Sequence, residues 1–102
     1  MTPGNKALSQ ALTNIISDYN WNEIQYRSQV ELIKATMSQD AVPRSGTLDE
    51  YRHYNTAMRT LDDVMQRILD QMFDGSDAES EAEFFQELPD VVQEYCKKRK
   101  KA

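Results

Sequence analysis

The chain has 102 residues, of which 39% are hydrophobic and 28% are charged, and its formal net charge is −5 at pH 7. Three glycines and three prolines leave little of the turn chemistry that an all-β fold needs, and a single cysteine excludes an internal disulfide framework. No apolar run approaches the roughly 18 residues of a membrane span, and the opening MTPGNKALSQ lacks the apolar core of a signal peptide. We therefore expect a small all-α protein without membrane contact, in the reducing environment of a cytoplasm.

The N-terminal part predicts two helices. Thr2 followed by Pro3 is a favourable helix start, and helical spacing of apolar residues continues to about residue 18. Asn20 is placed to cap a second helix over about residues 21–38. The apolar positions of this second helix are Trp21, Ile24, Tyr26, Val30, Leu32, Ile33 and Met37.

The most strongly patterned segment is TLDEYRHYNTAMRTLDDVMQRILDQMFDG, residues 47–75, which follows the helix-breaking stretch QDAVPRSGT. Thr47 and Glu50 form a capping box at its start, and Gly75 is suited to close it as a left-handed C-terminal residue. A third helix is therefore predicted. Its apolar residues alternate between steps of three and four, as in a heptad repeat: Tyr51, Tyr54, Met58, Leu61, Met65, Ile68 and Met72.

Helix lengths predict an antiparallel helical hairpin with an uncovered end. At 1.5 Å per residue the third helix spans ~39 Å and the second ~26 Å, so the third overhangs by roughly 13 Å. Because two helices joined by a short loop lie antiparallel, the overhang falls at the end of the third helix. Either the first helix or a second copy must cover this end, and we expect a homo-oligomer in which a second copy covers Met65, Ile68, Met72 and Phe73.

The charges divide the chain into a helical body, residues 1–73, and an arm, residues 74–102. The arm begins with eight acidic and no basic residues over positions 74–94 and ends in a basic run. Phe84, Phe85 and Leu88 stand in this acidic segment, where a short amphipathic helix could fold on a partner protein. We expect the arm to be mobile in isolation and its deletion to leave the melting temperature unchanged. Should deletion unfold the protein, these apolar residues belong to its core.

The basic run allows three interpretations. It comprises Lys97, Lys98, Arg99, Lys100 and Lys101. A solubilising tail suits the negative end of a C-terminal helix. The functional alternatives are that the run binds an acidic protein surface or that it binds nucleic acid phosphate. Five charges without interleaved aromatic residues would give salt-sensitive binding without sequence preference.

Catalytic and metal-binding motifs are missing from the sequence. His53 is the only histidine and Cys96 the only cysteine, so a nucleophilic pair would need these two to meet beside a third, orienting residue. There is no phosphate-binding glycine loop and no zinc spacing. DGSDAESE fails as a calcium loop, since Gly75 falls at its second position rather than its sixth. We predict no enzyme activity, no cofactor, no metal and no small-molecule substrate.

One arrangement in the chain combines Trp21, Ile24 and Arg27 with a following loop and the segment TLDEYRHYNTAMRTLDDVMQRIL. This arrangement resembles small helical-hairpin proteins encoded among bacteriophage virion genes. The resemblance covers about residues 21–69, and Asn55 stands where those proteins usually have glycine. It implies a phage origin and a role in particle assembly, so that the chain would work in the host cytoplasm or in the virion.

The leading hypothesis is a non-enzymatic helical interaction protein of phage particle assembly, a head, connector or scaffold-like accessory. Two alternatives stay open. One is a small nucleic-acid-associated packaging or regulatory factor that uses the basic run. The other is a phage-encoded inhibitor that covers a host protein with the acidic segment. In the third helix acidic residues outnumber basic ones, so the basic helical face that the first alternative favours is missing.

Overall fold

The computed structural model describes residues 3–74 and 78–101, and within these ranges the chain is all-α, without a strand. The all-α prediction is therefore confirmed. The helices are α1 (Pro3–Met37), α2 (Ser45–Phe73), α3 (Ala78–Glu87) and α4 (Asp90–Lys101).

Helix α1 is one continuous helix, so the predicted division into two helices at Asn20 is wrong. The physical reason is that no glycine or proline occurs from residue 5 to residue 42, and an isolated asparagine is only a weak helix breaker. The neighbouring Asn22 accommodates its amide in the helix by donating from Nδ2 to the carbonyl oxygen of Asp18 at 2.8 Å. Trp21 is therefore an interior helical residue rather than the first residue of a new helix.

Replacing Asn20 by alanine distinguishes a continuous helix from a capped start by the sign of the effect. Asn20 is exposed in the middle of α1, where alanine is the better helix former, so Asn20→Ala should stabilise the protein by about 0.5 kcal/mol. A capping asparagine would instead cost about 1 kcal/mol on the same substitution. Thermal or urea unfolding measures the change in stability. A loss of stability would indicate that Asn20 caps the start of a separate helix.

The chain leaves α1 through a Schellman turn. The amide of Ala41 donates to the carbonyl of Thr36 at 3.2 Å, and the amide of Asp40 donates to that of Met37 at 3.0 Å. Asp40 has a φ of 54°, in the left-handed region that aspartate tolerates better than most residues.

Helix α2 begins at Ser45, two residues before the predicted capping box. The amide of Leu48 donates to the carbonyl of Arg44 at 3.1 Å, so the backbone is already helical when it reaches Thr47. The predicted start at Thr47 is therefore corrected, while the helix ends at Phe73 as the pattern indicates. The predicted closing residue, Gly75, lies outside the described residues.

The described chain forms two compact units, and the fully buried side chains lie in only one of them. The first unit is Met1–Ser17 with Asp63–Ala102, and the second is Asp18–Asp62. α1 and α2 supply most of the core of the first unit, and the residues at and after the end of α3 supply the rest. Its buried apolar side chains are Leu12, Ile16, Met65, Leu69, Met72, Leu88, Val92 and Tyr95.

This division differs from the predicted body and arm. Residues 78–98, assigned to the arm, share a compact unit and a core with the beginning of α1 and the end of α2. The rings of Phe73 and Phe84 meet edge to face, with centroids 5.0 Å apart. The physical reason is that the apolar residues of α3 and α4, although surrounded by acidic side chains, are numerous enough to cover the end of α2.

Pro89 separates α3 from α4, as expected for a residue without an amide proton. The side chain of Gln93 fastens this junction, because its Nε2 donates to the carbonyl oxygens of Leu88 at 2.9 Å and Gln86 at 3.3 Å. The amides of Val92 and Gln93 both donate to the Pro89 carbonyl at 3.0 Å, which starts α4.

Candidate functional site

The second compact unit, Asp18–Asp62, consists of two helical segments and contains no fully buried side chain. Tyr26 of α1 packs against Tyr51 of α2, with ring centroids 5.2 Å apart and planes inclined by 31°. Half-buried residues around Tyr26, such as Val30 and Ile33, follow the same helical stripe. This stripe is the face of α1 that meets α2.

A second apolar stripe lies on the opposite side of α1. Trp21 is 61% exposed, Ile24 61% and Leu32 51%. At 100° per residue these positions project roughly 160° to 240° away from Tyr26. Ser28 and Ala35, both exposed, fill the turns between and after them. We call Trp21, Ile24, Ser28, Leu32 and Ala35 the α1 outer face.

The α1 outer face is continuous and uncharged. Its members follow one another at spacings of three and four, so each neighbours the next on the helix surface. Isolated exposed apolar residues are normal in soluble proteins, whereas contiguous exposed apolar surface marks an interaction site. The helix α2 differs, because its apolar residues concentrate on one side.

Two tyrosines of the second unit, Tyr26 and Tyr54, have raised pKa values. A hydrogen bond with the Tyr51 hydroxyl raises the pKa of Tyr26, with a smaller contribution from partial burial. A hydrogen bond to the Glu50 carboxylate raises the pKa of Tyr54. Both shifts favour the neutral phenol. Each tyrosine donates its hydroxyl proton in the hydrogen bond and would lose this bond on ionisation.

The apolar residues predicted to bind a partner pack largely within the chain. Met65 and Met72 are buried, and Ile68 and Phe73 are half-buried, so α3 and α4 cover the end of α2 that a second copy was expected to cover. The three arm residues behave similarly: Leu88 is only 3% exposed, and Phe84 and Phe85 are half-buried. The driving force for a contact through these residues is therefore mostly satisfied within one chain.

The basic run belongs to the last turns of α4. Lys97 and Lys98 are exposed there, near the negative end of the helix, where positive charge is favourable. The side chains of Arg99, Lys100 and Lys101 lie outside the described part of the chain.

An open cleft of about 600 Å³ lies in the first compact unit, between the end of α2 and the last two helices. Its apolar walls are Leu69, Phe73 and Phe85, and carboxylates of Asp70 and Glu81 stand beside them. Half-buried Cys96 also lines it.

The sequence offers one candidate catalytic pair, His53 and Cys96. His53 belongs to the second unit, where it packs edge-on against Tyr54 at 5.1 Å, while Cys96 belongs to the first. Within the described ranges, no three His, Cys, Asp or Glu side chains form a group that could hold a metal ion. None of the helices described here combines the length and apolar character needed to span a bilayer.

The α1 outer face is the feature that sequence reasoning missed. The apolar positions of this region fall on two faces, because residues 21, 24, 28, 32 and 35 project to the side opposite residues 26, 30 and 33. Their helical angles are the sequence signal that separates the two faces. Comparison with protein-family models, with curated proteins and with solved structures finds no match to this chain.

Proposed function

We propose that this chain is a non-enzymatic helical interaction protein that binds another protein chain through the α1 outer face. The observation that carries the proposal is the exposure of Trp21, Ile24 and Leu32 on one uncharged side of α1. Tryptophan is among the residues that contribute most to protein interfaces, since its large ring buries much area at little cost in conformational entropy.

The weak internal packing of the second unit supports the same conclusion. Two helical segments without a fully buried side chain gain little from their own contact, and amphipathic helices are stabilised mainly by the surface they bury. We take α1 and α2 to form an antiparallel hairpin in this unit, with the Tyr26–Tyr51 contact joining the two segments. A partner helix on the outer face would supply the missing layer.

Phage particle assembly is the setting we propose for this binding. Trp21 and Ile24, which begin the resemblance to small helical-hairpin proteins of virion gene clusters, are also members of the α1 outer face and are each 61% exposed. Docking of an apolar helix face on another chain is a recurrent mode of protein recognition, and the outer face is suited to such a contact.

Site-specific cross-linking tests the proposed function. A photoreactive phenylalanine analogue at Ile24 should form covalent adducts with a protein chain in an extract of the source organism, and mass spectrometry would identify that chain. The same analogue at Thr60, exposed on α2, is the control and should form few adducts. A virion protein or a second copy of this chain among the adducts would support the proposal.

Equal adduct yields from the two positions would contradict it. The substitution itself is tolerable, because Ile24 is 61% exposed and replacing it removes no buried contact. Circular dichroism of both labelled proteins checks that the helices remain.

A further inference from the structure

We infer that the α1 outer face pairs with the same face of a second copy of this chain, antiparallel, about a twofold axis that passes at Ser28. This inference rests on the proposed function, since it names the partner of the same surface. It differs from the oligomer predicted from the sequence, which used the end of α2.

The order of residues on the α1 outer face is self-complementary about Ser28. In an antiparallel pair centred there, residue numbers that add to 56 lie opposite each other. Trp21 then meets Ala35 of the second copy, and Ile24 meets Leu32. A large side chain faces a small one, and two branched aliphatic side chains face each other, which is how packed helix pairs interlock.

The charges beside the outer face fit the same arrangement. Glu23, Arg27, Glu31 and Lys34 form a row along one flank of α1, with alternating sign. Within one chain they pair as Glu23 with Arg27, at 3.5 Å, and Glu31 with Lys34, at 3.9 Å. Three of them expose more than 70% of their side chains, so they remain accessible to a second chain.

A twofold axis perpendicular to the helices brings this flank of one copy against the same flank of the other. Arg27 then lies ~3 Å along the axis from Glu31 of the second copy, and this pair forms twice by symmetry. Glu23 and Lys34 lie farther round the helix, toward α2, and do not reach across the pair. The two Arg27 side chains also approach each other, but each stands between a carboxylate of its own chain and one of the second copy.

A parallel pair would lose this complementarity. Its twofold axis runs along the helices, so the charged flank of one copy would face the other flank of the second copy. That flank carries the uncharged Gln25, Gln29 and Thr36 at this level. Charge pairing across helices sets orientation in coiled coils, and here it favours the antiparallel pair.

The size of the face predicts a weak, concentration-dependent dimer. From Trp21 to Ala35 the helix extends ~21 Å and is ~10 Å wide, which is well below the roughly 800 Å² per partner of a standard interface. Association in the range of about 10 to 100 μM is therefore expected. Such weak pairing suits a protein whose dimer forms at the high local concentration of an assembling particle.

Charge substitutions at Ser28 test the position of the axis. Because Ser28 meets itself, Ser28→Glu alone and Ser28→Lys alone should each weaken dimerisation at least about tenfold through like charges. An equimolar mixture of the two variants should dimerise again, with an affinity near that of the wild type. The same two substitutions at Thr60, exposed on α2 and far from the outer face of α1, should change nothing.

Sedimentation equilibrium gives the dissociation constants, and Trp21 provides an independent signal. It is the only tryptophan and is 61% exposed in one chain, so its emission should shift to the blue as dimers form. Unchanged melting at low concentration would show that the Ser28 variants are folded.

Two results would overturn the inference. One is a wild-type chain that stays monomeric up to about 1 mM, ten times the weakest expected dissociation constant. The other is a dimer that is insensitive to the Ser28 substitutions, which would place its interface elsewhere. In either case, cross-linking from Ile24 to a different protein would still support the proposed function, whereas the absence of any adduct would remove both.

Discussion

Removal of residues 75–102 should unfold the first compact unit. The deletion takes away Leu88, Val92 and Tyr95, which are 3%, 0% and 8% exposed and complete the core with residues of α1 and α2. Burial of three such side chains contributes on the order of 5 to 9 kcal/mol. A domain of this size has a total stability of only about 5 to 15 kcal/mol, so the truncated chain should retain no cooperative unfolding transition for this unit.

A shorter truncation is the matched control. Removing only residues 99–102 deletes three basic residues and keeps Leu88, Val92 and Tyr95, so the melting temperature should stay within a few degrees of the wild type. Calorimetry or circular dichroism on both truncations measures the difference. If a chain ending at Asp74 melts like the full-length protein, the expectation is contradicted. Residues 75–102 would then be a separate arm, as the charge pattern alone predicts.

Substitution of two isoleucines on the same helix should give opposite outcomes. Ile16 is 2% exposed, in the core of the first unit, and Ile24 is 61% exposed, on the α1 outer face. Ile16→Ala should cost about 2 to 5 kcal/mol, since it leaves a cavity among packed side chains. For a domain of this size that lowers the melting temperature by roughly 10 °C or more.

Ile24→Ala removes the same atoms from an exposed site, so the stability of the single chain should change by no more than about 0.5 kcal/mol. Both variants are measured by thermal unfolding at low micromolar concentration, where self-association contributes little. A large destabilisation by Ile24→Ala under these conditions would mean that the outer face is covered within one chain. At higher concentration, Ile24→Ala should instead weaken binding.

Much of the helical structure could be predicted from local patterns. The heptad spacing from Tyr51 to Met72 identifies α2 and its C-terminal end, because a run of apolar residues at steps of three and four forms one face only in a helix. Pro89 separates α3 from α4 for the equally local reason that it lacks an amide proton. Asn20 misled the prediction, because a residue that can cap a helix can also lie inside one at small cost.

The candidate site could be predicted less well from the sequence. The exposure of a residue depends on whether another segment of the chain packs against it. Trp21 and Leu12 are both large apolar residues at helical spacing, yet Leu12 is 1% exposed and Trp21 is 61% exposed. Neither apolar character nor helical spacing distinguishes the buried residue from the exposed one. The difference arises because Leu12 projects toward neighbouring helices, whereas Trp21 projects from the side of α1 opposite Tyr26, the residue that packs on α2.

The sequence by itself determined the all-α class, the presence and C-terminal end of α2, the break at Pro89 and the uneven distribution of charge. These properties depend on residues a few positions apart, and such neighbours interact whatever the rest of the chain does. Only the tertiary structure decided that Leu88, Val92 and Tyr95 complete a core and that Trp21, Ile24 and Leu32 remain outside one. Burial depends on which distant segments meet, and the stability gained by covering the end of α2 outweighed the acidic, arm-like character of residues 78–94.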